Sequence, residues 1–126
     1  MKTDRLFVVI LGISGALAVG LGAFGAHGLE ARLSVDAMET FQTAVRYQFY
    51  HTLALLAAVV VLTRWPSARL AKMAGWLFVG GMVLFSGSLY LLVATGTTWL
   101  GAVTPLGGVA FILGWLLLAV VGWQAR

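Results

Sequence analysis

The stretch LFVVILGISGALAVGLGAFGAHGL, residues 6–29, decides the fold: 24 consecutive residues without a charge, held between Arg5 and Glu30. A bilayer core about 30 Å thick is crossed by about 20 helical residues at 1.5 Å each, so this run is long enough to span. A rival reading makes Lys2 and Arg5 the head of a secretory signal with a cleavage site at Ala16-Leu17-Ala18. The apolar run continues well past that site, which favours a retained span. Working outward, residues 47–63 (YQFYHTLALLAAVVVLT) form a second uncharged run between Arg46 and Arg64, short enough to borrow the turn before it. From Met73 to Ala125 no charge appears at all, too long for one span and right for two. The division falls at TGTTWLGAVTP (95–105), where Thr, Gly and a helix-starting Pro signal a loop. The reading is an all-α, polytopic membrane protein: one domain over 1–126, with four spans near 6–26, 45–63, 72–94 and 105–123.

Composition agrees. Of 126 residues, 61% are apolar and 10% charged, against about a quarter charged in soluble domains, which argues against a soluble enzyme. The absence of cysteine removes disulfides, thiolate metal sites and cysteine nucleophiles. The net charge of +4 sits at the ends of apolar runs and not on a basic face with stacking aromatics, so the bilayer is the expected partner and nucleic acid is not. Helices are required because lipid offers backbone amides no partner, and the runs lack the alternation of a barrel. Lys2, Arg5, Arg64, Arg69, Lys72 and Arg126 fall on one side of the membrane. Arg32 and Arg46 fall on the other, diluted by Glu30, Asp36 and Glu39. This places both termini in the cytoplasm. Trp65, Trp76, Trp99 and Trp123 fall at interfaces as an aromatic belt, whereas Trp115 falls near mid-bilayer and is read as packing between helices or against lipid.

The first outer connection runs SVDAMETFQTAVRYQFY (34–50), with Val35, Met38, Phe41, Val45 and Phe49 at helical spacing. Ser34 is a cap, and Asp36 and Glu39 suit a helix N-terminus. A short interfacial helix is expected, bending or running straight into the second span. Small residues recur every four positions in the first span, as Gly12-Ala16-Gly20 and as Ser14-Ala18-Gly22-Ala26. Gly80 and Gly87, Gly81 and Ser88, and Gly107 and Gly114 repeat one heptad apart. Close backbone approach is the main adhesive between helices in lipid, so these stripes predict packing within the bundle, or a homo-oligomer through the second face of span one.

Polar residues gather in the outer half. His51 lies about 18 Å and Gln48 about 22 Å above Thr63, while Ser86 and Ser88 stand about 18 and 21 Å above Ala74. Tyr47 and Tyr90 come slightly higher, His27 ends the first span near the same boundary, and Arg46 is expected directly above the group, open to an anionic headgroup. Ser86 and Ser88 are about 200° apart on their helix and cannot both face it. A histidine in the membrane is either a functional site or satisfied bundle glue. The chemistry is thin: no buried carboxylate for acid–base work, too few ligands for zinc, and no phosphate loop or nucleophile elbow. A haem held by His27 and His51 is a distant reading, since His27 lies close to the outer surface.

Four stretches occur together: GAFGAHGL (22–29), FQTAVRYQFYHTLALL (41–56), LFSGSLYLL (84–92) and TPLGGVAFILGW (104–115). In their order and spacing the chain resembles, over essentially its whole length, the domain-of-unknown-function 423 family, small bacterial inner-membrane proteins related to eukaryotic transmembrane protein 256. The resemblance implies four transmembrane helices and brings no established activity, substrate or cofactor. The motif residues it carries here are Gly25, His27, Gly28, Tyr47, Gln48, His51, Ser86, Gly87, Ser88, Tyr90, Pro105, Gly107 and Gly108. The expectation is a non-enzymatic protein without a metal or cofactor, binding a lipid, a small amphipathic molecule or a membrane partner through an outer-leaflet pocket of His27, Arg46, Tyr47, Gln48, His51, Ser86, Ser88 and Tyr90. The alternative is a small transporter or channel subunit, although ALLAAVVVL (54–62) and LLLAVV (116–121) offer no polar lining.

Overall fold

A computed structural model describes residues 1–125; Arg126, counted above on the basic side, lies outside them. Among the described residues there is no strand, and four helical spans, Thr3–Leu29, Val35–Arg64, Arg69–Thr95 and Thr98–Gln124, are each long and apolar enough to cross a membrane. Span 1 is built of α1 (Thr3–Val19), a π-helical segment (Gly20–Gly25) and α2 (Ala26–Leu29). The π turn falls in GLGAFG, where three glycines leave the widened backbone free of side-chain crowding. Span 2 is one unbroken helix, α3 (Val35–Arg64). The amphipathic segment expected between the first two spans forms its opening turns and runs straight on. At 30 residues this helix is about 45 Å long, more than a bilayer core. Ser34 caps it, its hydroxyl accepting from the Ala37 N–H at 3.1 Å.

Span 3 is α4 (Arg69–Thr95), closed by Gly96 at φ 69°, whose N–H donates to the Leu92 carbonyl at 2.8 Å. Left-handed backbone of this kind costs glycine nothing, and the helix stops there. A 3-10 turn (Thr98–Ala102) then leads to α5 (Thr104–Gln124), with Pro105 in its first turn.

The spans pack in chain order, 1 on 2, 2 on 3 and 3 on 4. Span 4 only brushes span 2, and spans 1 and 4 form no comparable interface. Spans 2 and 3 are therefore the spine, flanked by 1 and 4. At the end bearing Lys2 and Arg69 the core is apolar throughout: Phe7, Leu55, Val59, Leu62, Ala71 and Val121 are buried together. Phe7 is fully buried and lies against Gly75, where a Cβ would overlap its ring, with Trp76 edge-on at 5.1 Å.

The small-residue stripes divide in use. Ala18 is buried, Ser14 bonds to Thr52, and a Cβ on Gly22 would come within 3.1 Å of Val45. That stripe faces span 2. Gly12 and Gly20 have no neighbour within 4 Å, and Gly12 and Ala16 are exposed, so the other stripe faces away from the bundle. Between spans 3 and 4 the tight contacts are at Gly81 against Phe111, Gly107 against the Phe85 backbone, and Gly114 against Phe78. Gly80 meets nothing within 4 Å, and Gly87 only the Met82 carbonyl at 4.0 Å. Of the adjacent pair Gly80 and Gly81 only one can face span 4, and it is Gly81.

Candidate functional site

Span 2 carries the polar residues of the outer half, and it sends them to two different sides. Gln48 is 8% exposed and points at spans 1 and 3. Its Nε2 donates to the Ser14 carbonyl at 3.1 Å and to Ser14 Oγ at 3.2 Å, and its Oε1 accepts from the Tyr90 hydroxyl at 2.6 Å. One turn on, Thr52 donates to the Gln48 carbonyl at 2.7 Å, which leaves its oxygen to accept from Ser14 at 2.8 Å. The group closes on itself. The amide nitrogen and the amide oxygen of Gln48 are both engaged, and each hydroxyl proton has an acceptor, as burial in an apolar medium demands. Ser86, 1% exposed, donates to the Ala44 carbonyl at 2.7 Å and fastens span 3 to span 2.

His51 is 5% exposed and points toward span 4. Its Nε2 lies 3.1 Å from the indole Nε1 of Trp115, and its Nδ1 lies 2.8 Å from the Tyr47 carbonyl. An indole N–H can only donate, so Nε2 accepts; the ring proton is on Nδ1 and goes to the carbonyl. The neutral Nδ1–H tautomer thus uses both nitrogens, and a metal or haem iron could bind only by displacing Trp115 or Tyr47. The ring also stacks on Phe111, with centroids 3.5 Å apart and planes 7° from parallel. Tyr47, half-exposed, stacks on Phe85 at 4.5 Å. Ser88 faces span 4 as well, sharing a 2.6 Å hydrogen bond with Thr104.

The eight residues expected to form one pocket therefore separate into three groups. Gln48, Ser86 and Tyr90 come together between spans 1, 2 and 3; Tyr47, His51 and Ser88 face span 4; His27 and Arg46 are exposed and join neither. Arg46 does not stand over Gln48. Its Nε donates to the Gln42 carbonyl at 3.3 Å, and it borders a surface hollow with Glu30 and Glu39. His27, in α2 beyond the π turn, lies on the exposed side of span 1.

Ser14, Thr52 and Trp115 are the partners that sequence reasoning missed. Depth was the available signal for Ser14, which stands eleven residues above Thr3, about 16 Å up and close to the level of His51. Thr52 lies at i+4 from Gln48, on the same face.

A groove of about 420 Å³ opens between spans 1 and 3. Ile10, Ile13, Leu17 and Leu21 wall one side, Val79, Val83 and Gly87 the other, and Ser14, Gln48 and Tyr90 lie at its base. No charged residue lines it. Three further hollows hold charged side chains and lie at the helix ends, around Lys2 and Lys72, around Trp65 and Arg69, and around Asp36 and Glu39.

A family model described as a protein of unknown function, DUF423, matches residues 21–108 and so takes in every residue of the Gln48 and His51 groups except Ser14, Phe111 and Trp115. The UPF0382 membrane protein YwdK of Bacillus subtilis is 45% identical over 116 residues, 92% of this chain and 94% of its own. A UPF0382 membrane protein of Staphylococcus epidermidis is 47% identical over 92% of this chain and 93% of its own, and one of Staphylococcus aureus 42% over 95% and 97%. No solved structure matches significantly. Four apolar helices long enough to span, with identity of this extent over nearly the full length, are what the membrane proteins of one family share, and the chain belongs to the DUF423 family, whose relatives here are called UPF0382 membrane proteins.

Proposed function

We propose that this protein is a non-enzymatic protein of the bacterial cytoplasmic membrane, with both termini inside, that holds a lipid or similar amphipathic molecule in the groove between spans 1 and 3. The observation that carries this reading is the groove itself: about 420 Å³ of apolar wall without a charged residue, bordered by Ile13, Leu17 and Val83, each more than half exposed. Ser14, Gln48 and Tyr90 beneath it are spent on one another, so no acid, base or nucleophile is free for chemistry. A conducting path finds no support, because the end of the bundle around Phe7, Leu55 and Leu62 is tightly buried apolar side chain. The orientation rests on Lys2, Arg5, Arg64, Arg69 and Lys72 gathering at one end.

Gly87 supplies the test. It lines the groove, and a side chain there has room. Native mass spectrometry of protein purified in mild detergent is expected to show a retained lipid that Gly87→Leu loses. Gly108→Leu, on span 4 where a Cβ meets nothing within 4 Å, is expected to keep it. Equal retention by both variants would remove the groove as the site.

A further inference from the structure

We infer that the groove takes one acyl chain of a bilayer phospholipid and is indifferent to the headgroup. The inference rests on the groove being the lipid site proposed above. Its first ground is hydrogen-bond accounting. A site that selects a headgroup or a polar tail needs a donor, an acceptor or a charge left over for it. Here the Gln48 amide nitrogen donates to the Ser14 carbonyl and hydroxyl and its oxygen takes the Tyr90 proton, the Ser14 hydroxyl donates to Thr52 and Thr52 to the Gln48 carbonyl, and Ser86 is committed to the Ala44 carbonyl. What faces the groove is hydrocarbon. The charged side chain nearest in sequence to its polar base, Arg46, lies elsewhere on span 2, bonded to its own helix.

The second ground is length. From Ile10 to Leu21 on one wall, and from Val79 to Tyr90 on the other, there are eleven helical rises, about 16 Å. That is about half the thickness of a hydrocarbon core about 30 Å deep, so in length the groove matches a single chain lying along the membrane normal. The gain over bulk lipid is contact, since a tail leaving the bilayer for an apolar groove gains nothing from hydrophobicity. The groove would therefore discriminate by chain length and leave headgroup choice to the surface cations.

Spin-labelled lipids in bilayers of the full chain separate these possibilities. Labelled phosphatidylcholine and phosphatidylglycerol of equal chain length are each measured with the unaltered chain, with Gly87→Leu, and with Ile13→Trp, which blocks the same groove from span 1. The motionally restrained component removed by blocking is expected to be the same for both headgroups, and to shrink when the tails are cut to eight carbons. A blocked component that favours phosphatidylglycerol by about fivefold, the effect of one basic side chain, would overturn headgroup indifference while leaving the groove a lipid site. A restrained component that neither variant reduces, for either lipid, would overturn the groove itself and the inference with it.

Discussion

Gln48 and His51 are three residues apart on one helix, both buried and both hydrogen-bonded, yet they lie in opposite kinds of surroundings. The His51 side is closed. Phe111, Phe85 and Phe78 fill the space that Gly81, Gly107 and Gly114 leave, and the imidazole is stacked into that layer. The Gln48 side is open. Span 1 is held there by hydrogen bonds among Ser14, Gln48, Thr52 and Tyr90, by Phe7 at the far end, and by few large buried side chains, which leaves the groove beside it. Within lipid, rigidity comes from backbones drawn close by glycine. Polar clasps can fix a helix in register while its flank stays available to a ligand.

Three substitutions break or sharpen this contrast. The largest effect is expected from Gly107→Ala. The added methyl would overlap the Phe85 backbone, which cannot rotate away, so unfolding in mixed micelles should show a loss of about 3 kcal/mol. A loss near zero would mean that spans 3 and 4 are not interlocked. Next comes Gln48→Leu, which strands the Tyr90 hydroxyl and frees Ser14; about 1–2 kcal/mol is expected. Hydrogen exchange should quicken in span 1 and stay unchanged in spans 3 and 4. Uniform quickening would contradict the picture of span 1 as the separately clasped element. The smallest effect belongs to His51→Phe, which preserves the stack on Phe111 and removes the acceptor for Trp115 together with the Nδ1–H bond to the Tyr47 carbonyl. A double-mutant cycle with Trp115→Phe should give a coupling of about 0.6 kcal/mol, typical of hydrogen bonds between membrane helices. No coupling would remove that bond.

The spans were legible because the bilayer imposes a length that no soluble fold requires, and the uncharged runs around 6–29 and 73–125 meet it. Depth was legible too, from helix rise. Direction around the helix was harder. Gln48 and His51 differ by about 60°, which reads as one face in sequence. With span 1 on one flank of the spine and span 4 on the other, that angle sends them to different neighbours. Gly80 and Gly81, about 100° apart, likewise take different neighbours. Trp115 looked out of place at mid-bilayer because its partner, His51, is 64 residues away in sequence. The π turn at Gly20–Gly25 has no signature that distinguishes it from any glycine-rich helix.

The measurement closest to the central claim is anomalous diffraction from crystals grown with phospholipid brominated along its tails. The account predicts a bromine peak between Ile13 and Gly87, along the walls formed by spans 1 and 3, and none between spans 2 and 4 around His51 and Phe111. A groove without bromine, or bromine seated against His51, would contradict it.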